Sequence, residues 1–485
     1  MVFSSTIFIF YFLPATFVVY FISPYKWKNL VLLLSSTFFF AWGAPEFIFI
    51  LLVSITADYY LANFLFSSTN KQRKKSLLLL SIFLNLGLLI YFKYANFFVD
   101  NFNSILNEFG AKNVKWTAIA LPIGISFFTF QKLSYVLDVF RMKKEPLKKW
   151  TDFALYILLF PQLIAGPIIR YTQIADQLID RKAMLTIDNA LLGFRRFIIG
   201  LSKKMLIANA LGQQVDLAFS NGIENLGSLS SWIIIIAYAL QIYFDFSGYS
   251  DMAIGIGRML GFKIPENFKN PYIAKDIIDF WRRWHITLTN WFRDYLFFPL
   301  AFSISNKLQK PKYLQLKTDY WIYFFAALIT FGLTGFWHGA SWSFLLWGLY
   351  HGAWLVINRF LLKKFFKRIG KTSSILITFI IVLIGWVLFR AENMNEAVVF
   401  LSQMFSLETS SLIFPFSFWL ILTIGILISF VPAFGKMESF FENIRSEDKR
   451  LPFFVIRYTI TAMLLILCMS EIVSTGFNPF IYFRF

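Results

Sequence analysis

The chain has 485 residues, 58% of them hydrophobic and 15% charged, against about 45–50% and about 25% in an ordinary soluble domain. Aromatic residues make up 20%, including 62 phenylalanines. A water-facing surface carrying that load would aggregate, so lipid must solvate much of it, and one integral membrane domain replaces the several soluble domains that length alone suggests.

The net charge of +19 does not point to nucleic acid, because its location decides its meaning. The basic residues lie in short runs beside apolar segments, KQRKK (Lys71 to Lys75), RMKKEPLKK (Arg141 to Lys149), FRR followed by SKK (Arg195 to Lys204) and KKFFKR (Lys363 to Arg368). Positive-inside bias and anionic headgroups produce that pattern. The first segment, MVFSSTIFIFYFLPATFVVYFIS, lacks a basic leader and a small-residue cleavage site, and reads as a retained span with the N-terminus outside. Lys26 and Lys28 then face inward. Spans follow over Val31 to Trp42, Phe47 to Phe66 and Leu77 to Phe92, then a mixed loop over Asp100 to Lys115 and a fifth span over Ala118 to Val139. This parity puts both KQRKK and RMKKEPLKK on the cytoplasmic side.

After Trp150 the pattern breaks. Phe153 to Tyr171 is interrupted by Pro161, Gly166 and Pro167, and non-helical backbone at membrane depth survives only inside protein or beside water, so a buried re-entrant or kinked element is predicted. Amphipathic segments occupy Leu185 to Ala218, then a span over Trp232 to Phe246 and a second broken region to about Trp291. A helix pair over Trp321 to Leu333 and Ser341 to Leu362 precedes three plain spans, Ile375 to Phe389, Phe416 to Val431 and Phe454 to Ile472. The expectation is an all-α polytopic protein of about ten or eleven transmembrane helices plus re-entrant or interfacial pieces. The single cysteine, Cys468, excludes an internal disulfide and a thiolate metal cluster, and reads as a packing residue.

The chemistry concentrates in the middle third. Ionisable groups inside a bilayer cost at least about 2.5–3.5 kcal/mol at a helix centre, so each is a functional candidate. The chain has three histidines: His285 in DFWRRWHITLTNWFRDYL, His338 in LTGFWHGASW and His351 in LYHGAW. Histidine is the side chain suited to moving a proton near neutral pH. Were His338 and His351 on one helix they would stand about 20 Å apart and over half a turn out of phase, so His351 is expected to be interfacial or structural. His338, flanked by Gly335 and Gly339, allows close backbone approach to a ligand. Around His285, the residues Arg282, Arg283, Thr287, Thr289, Asn290, Arg293 and Asp294 alternate with Trp281, Trp284, Trp291 and Tyr295. The stretch reads either as an interfacial amphipathic helix with snorkelling arginines or as a tunnel wall meeting an anionic donor. Asp245 and Asp251 are expected at a membrane boundary broken by glycines. Gly255, Gly257 and Gly261 miss the GxGxxG spacing and follow no soluble strand, so they form no dinucleotide site.

Together these motifs resemble the bacterial membrane-bound O-acyltransferase (MBOAT) family, in the branch of the alginate and peptidoglycan O-acetyltransferase membrane components. The resemblance runs nearly end to end, through MVFSS, LPIGISFFTF, FPQLIAGPIIR, YFDFSGYSDMAIGIG, ENFKNPY, FWRRWHITLTNWFRDYL, GFWHGASW and the terminal NPFIYFRF. FWRRWH and WHGA together are the specific part. One departure stands after RDYL, where the branch carries a PLGG turn and this chain has Pro299, Leu300, Ala301 and Phe302. The conformation of that loop is therefore in question.

The resemblance implies a helical bundle around a central tunnel, spanning residues 1–485 as a single acyltransferase domain, with N-terminal spans over 1–150, a catalytic core over 151–362 and C-terminal spans over 363–485. It implies that His338 is the principal catalytic histidine and His285 the second polar group of the site. Trp337, Asn290, Arg282, Arg283, Arg293, Asp245 and Asp251 are the candidate substrate or tunnel-lining residues. It further implies a bacterial inner-membrane location and a cytoplasmic thioester donor such as acetyl-CoA. The acyl group would reach polysaccharide hydroxyls through an extracytoplasmic partner of SGNH-hydrolase type, with no bound cofactor, no metal and no nucleic acid. The chemistry agrees: a neutral imidazole at His338 can take the acceptor's proton, while His285, Asn290 or an indole N–H steadies the oxyanion. Three alternatives remain open at this stage. A teichoic-acid D-alanyl transfer component differs mainly in partners. A transporter of an acyl carrier or polysaccharide precursor lacks the expected repeat symmetry and carboxylate ladder, and a metal hydrolase lacks HxxxH and HExxH.

Overall fold

The structure, a computed structural model, describes residues 1–408, 412–434 and 451–474, so the terminal NPFIYFRF lies outside the described residues. What is described is almost entirely helical, apart from a two-stranded antiparallel hairpin pairing Lys312–Tyr313 with Leu316–Lys317. Among the described residues seven helices are long and apolar enough to cross a membrane, Pro45–Ser67, Lys71–Glu108, Ser228–Met259, Thr318–His338, Gly370–Arg390, Phe416–Ala433 and Phe453–Ser474. The apolar helix Phe8–Ile22 and three helices of 16 residues, Lys28–Gly43, Ile125–Phe140 and Trp342–Ile357, bring the apolar segments into the range read from the sequence. The chain is a multi-pass membrane protein.

Two compact units share the chain, one of residues 1–194 with 252–265 and one of residues 195–251 with 266–485. Two of the three boundaries fall inside continuous helices, Ile187–Ser202 and Ser228–Met259.

In the first unit, helices α1 (Lys28–Gly43), α2 (Ile48–Ser67) and, behind it, α3 (Lys71–Leu89) and α4 (Ile125–Phe140) form the packing around α5 (Trp150–Leu158) and the single turn α6 (Phe160–Leu163), with α3 packed on α2 and α4. The predicted kinked element is here: Phe153 to Phe160 are fully buried, and the chain bends at Leu159, where the freed N–H of Phe160 donates to Ser36 Oγ at 3.1 Å. Two boundaries differ from expectation. The fourth span runs unbroken to Glu108, absorbing much of the predicted loop. The fifth helix starts only at Ile125, because Pro122 has no N–H to donate and Gly124 takes a left-handed φ of +78°. A Cβ at Gly124 would stand 2.7 Å from the Leu163 carbonyl, so this turn is reserved for glycine.

Three helices of this unit meet through charge. Asp58 of α2 accepts from Ser81 Oγ at 2.6 Å and from Asn85 Nδ2 at 2.8 and 2.9 Å, both on α3, while Lys132 Nζ of α4 stands 3.6 Å away. Lys132 and Asp58 are 1% and 2% exposed. A charge this deep persists only when paired, so the buried carboxylate ties helices together and does not mark a transport path.

In the second unit the expected break after Phe246 is absent. Helix α7 (Ile187–Ser202) leads into this unit, and α8 (Ser228–Met259) runs straight through the glycines. Gly248 sits where a Cβ would meet the Gly200 carbonyl at 2.7 Å, so it permits close packing and does not end the helix. Asp245 and Asp251 accordingly lie within α8. Asp245 pairs with Lys204 at 2.7 Å, and Asp251 with Arg196 and Lys203, both at 2.6 Å.

Lys132→Ala would leave Asp58 buried and uncompensated, at a cost of about 3–5 kcal/mol. The expected outcome is a marked drop in thermal stability of the detergent-solubilised protein. Lys132→Met combined with Asp58→Asn should recover most of the loss, since removing both charges leaves nothing to desolvate.

Candidate active site

The polar stretch around His285 is not one helix. Helix α9 (Ile277–Arg283), capped by the Asp276 carboxylate on the Asp279 N–H at 2.8 Å, ends at Trp284, and α10 (Ile286–Phe292) begins two residues later. His285 occupies the break in a left-handed conformation, φ +42°, which costs a non-glycine residue about 1–2 kcal/mol.

A single side chain compensates that cost. Asn267 Oδ1 accepts from the Thr287 N–H at 3.2 Å and the Thr287 hydroxyl at 2.8 Å, and stands 3.1 Å from His285 Nδ1. The Asn267 carbonyl takes the Ile286 N–H at 2.9 Å, and its amide nitrogen donates to Ser250 Oγ at 3.1 Å. A backbone N–H can only donate, so the atom facing Thr287 is the carboxamide oxygen, and Nδ1 of His285 must carry the proton. Nε2 therefore holds a lone pair. It is buried and has no hydrogen-bond partner among the described residues.

His338 is the last residue of α11 (Thr318–His338), which turns through Gly339, Ala340 and Ser341 into α12 (Trp342–Ile357). The two helices touch backbone to backbone: a Cβ at Gly335 would lie 2.1 Å from the Phe344 carbonyl, and one at Gly348 2.1 Å from the Phe331 carbonyl. This hairpin brings all three histidines into one aromatic array. The Trp337 ring stands 6.4 Å from His285 and 4.8 Å from His338, centroid to centroid, and the Trp347 ring 5.2 Å from His338 and 5.1 Å from His351. His351 is 1% exposed and lies 5.1 Å from Trp281. Of the two expectations for His351, interfacial or structural, burial fits the structural one, and the chain turns back between His338 and His351.

Of the other candidates, Arg282 and Arg293 are exposed and Asn290 is half-buried. Arg283 pairs with Asp279 at 2.8 Å, and Arg293 with its neighbour Asp294 at 2.8 Å. In the sequence Trp281 and Trp347 stand out only as aromatic neighbours of His285 and His351, and nothing singles out Asn267. The indole N–H groups of Trp281 and Trp347 have no hydrogen-bond partner among the described residues.

A cavity of about 840 Å³ opens beside this array, bounded by Gly339, Ala340 and Ser341 of the turn and by Phe389 at the end of α13 (Gly370–Arg390). The Phe389 ring is 5.2 Å from His338. Farther out the wall carries Asp216, Glu392 and Glu396, with Arg390 bonded to Asp216 at 3.2 Å and stacked 4.1 Å over Phe219. The imidazoles and the unsatisfied indole donors are not among the lining residues of this cavity, and Phe389 and Gly339 of its wall stand next to His338.

Residues 37–398 match the model of the membrane-bound O-acyltransferase family. The chain belongs to that family. The MBOAT protein is 36% identical to the probable alginate O-acetylase AlgI of Pseudomonas putida over the full length of both chains. It is 35% identical to the peptidoglycan O-acetyltransferase of Helicobacter pylori, covering 85% of this chain and 81% of the relative. A teichoic acid D-alanyltransferase of Bacillus subtilis is 30% identical over 56% of this chain and 70% of its own. The MBOAT protein is a membrane O-acyltransferase, which removes the transporter and metal-hydrolase alternatives.

Asn267→Ala should release His285 from its tautomer and its backbone turn. A misplacement near 1 Å costs about 10² in rate, so acyl transfer per folded molecule should fall by that order. Asn267→Asp retains the accepting oxygen and should recover to within about tenfold of the wild type. Equal, near-normal rates for both variants would remove Asn267 from the account.

Proposed function

We propose that the protein moves an acetyl group from a cytoplasmic thioester, acetyl-CoA, to hydroxyls of an extracytoplasmic polysaccharide, through a partner of SGNH-hydrolase type. It does so from the bacterial cytoplasmic membrane with its N-terminus outside. The observation that carries this reading is the pair of histidines on either side of Trp337 beside a cavity of about 840 Å³. The alginate and peptidoglycan relatives support acetyl transfer to a sugar hydroxyl.

In this reading His338 takes the proton of the acceptor hydroxyl as its oxygen attacks the thioester carbonyl. The carbonyl π electrons move onto oxygen, and the indole N–H of Trp347 or Trp281 stabilises the resulting oxyanion. Collapse breaks the C–S bond, and the departing thiolate takes the proton held by His338. His285 offers only an acceptor at Nε2, so it orients the hydroxyl and does not serve the oxyanion. Trp337 keeps the two imidazoles apart and excludes water. Asp245 and Asp251 hold the surrounding helices through their ion pairs.

Helix polarity supports the direction. Both α12 and α13 have their far ends beside the basic KKFFKR run and their other ends at the cavity. The positive-inside bias then faces the cavity outward, toward the acceptor and partner. Arg282, Arg283 and Arg293 supply cations for the phosphates of the donor. The D-alanyl alternative draws on a relative matched over only 56% of this chain.

His338→Ala should lower acyl transfer by about 10² to 10⁴ at unchanged membrane abundance, read as O-acetyl content of the cell polysaccharide. His285→Ala should also impair transfer strongly, while His351→Ala should lose less than about tenfold per folded molecule. An essential His351 beside a dispensable His285 would invert the assignment.

A further inference from the structure

A second cavity, about 880 Å³, lies in the first unit between the turn after the first apolar helix and the RMKKEPLKK loop. Its wall contains the apolar side chains of Leu30, Leu147 and Leu178. Six cations line it, Lys26, Lys143, Lys144, Lys148, Lys149 and Arg181, against the carboxylates of Glu145 and Asp152. Lys143 is engaged by Asp138 at 3.7 Å and Lys144 by Asp176 at 2.7 Å, while Asp152 accepts from Asn29 at 2.8 Å. Lys26, Lys148 and Lys149 remain exposed, with no carboxylate partner among the described residues.

The remaining cation is built in. Arg181 is 4% exposed, bonds Asn29 Oδ1 at 2.7 Å and the Leu260 carbonyl at 3.2 Å, and stacks 4.3 Å over Phe262. It adds a fixed positive charge that cannot swing out to water. Around the cavity, Trp27, Met142 and Ile179 are 50%, 62% and 68% exposed, the kind of side chains that sit at the level of lipid headgroups.

Free lysines, a fixed guanidinium and an apolar wall suit a ligand that is anionic at one end and hydrocarbon at the other. A water-soluble phosphate satisfies the cations and wastes the apolar wall. We propose that this cavity binds the headgroup of an anionic glycerophospholipid, its phosphodiester among Lys26, Lys148 and Lys149 and its chains along the leucines. The site shares no lining residue with the histidine array and adds to acyl transfer a lipid that fixes two loops at the membrane surface.

The test is native mass spectrometry of the full detergent-solubilised chain, titrated with phosphatidylglycerol or phosphatidylcholine of matched chains, with and without acetyl-CoA or inorganic phosphate. Phosphatidylglycerol should bind at least about tenfold more tightly, since three unpaired lysines attract its anionic headgroup and not the zwitterionic one. The triple variant Lys26→Glu, Lys148→Glu, Lys149→Glu should lose that preference, whereas Lys71→Glu with Lys74→Glu, outside the cavity, should keep it. Should charge reversal prevent folding, Gln at the same three positions is read the same way. No headgroup preference in the wild type, or a preference that survives the triple variant, overturns the proposal. Displacement of the lipid by acetyl-CoA or phosphate overturns it too, and gives the site to a soluble phosphate.

Discussion

One carboxamide oxygen holds the break around His285 in shape. Asn267 Oδ1 starts α10 by accepting from Thr287, and in the same position fixes the proton of His285. Each neutral hydrogen bond contributes about 0.5–1.5 kcal/mol net, so three of them offset the left-handed backbone at His285. Without that turn α9 and α10 would run on as one amphipathic helix, and His285 would be one more polar side chain on its face. With the turn, its imidazole stands 6.4 Å from the Trp337 ring, centroid to centroid.

The aromatic array then sets what the imidazoles can do. Rings of Trp281, Trp337, Trp347 and Phe389 stand within 6.4 Å of one or another of the three histidines and bury them away from water. Low dielectric strengthens whatever hydrogen bonds form to a developing oxyanion. The array depends on the contact of Gly335 with α12, since a Cβ there would stand 2.1 Å from the Phe344 carbonyl and would push α11 away, carrying His338 with it.

Much of this was legible in the sequence. The count of apolar segments, the kinked element over Phe153 to Tyr171 and the weight of His285 and His338 all follow from local composition. Three features were not legible because they depend on residues far apart in the chain. The Asn267 clamp acts across 18 and 20 positions through a loop with no periodicity. The inclusion of His351 needs the hairpin that returns α12 along α11, and treating the two histidines as one helix gave the wrong separation. The glycines of α8 look like breakers in isolation, and only the facing Gly200 carbonyl reveals them as points of close packing. The Asp58 and Lys132 pair was hidden for the same reason, being 74 positions apart on different helices.

The central claim is that one histidine-centred site passes an acyl group from a cytoplasmic donor to an outward-facing cavity. Sealed vesicles of known orientation, given radiolabelled acetyl-CoA on the cytoplasmic face alone, test it most directly. The account predicts label on a hydroxyl acceptor confined to the opposite face, and none when His338→Ala replaces the wild type at equal abundance. Label that reaches the acceptor only when donor is supplied on that same face, or that persists in His338→Ala, would contradict it.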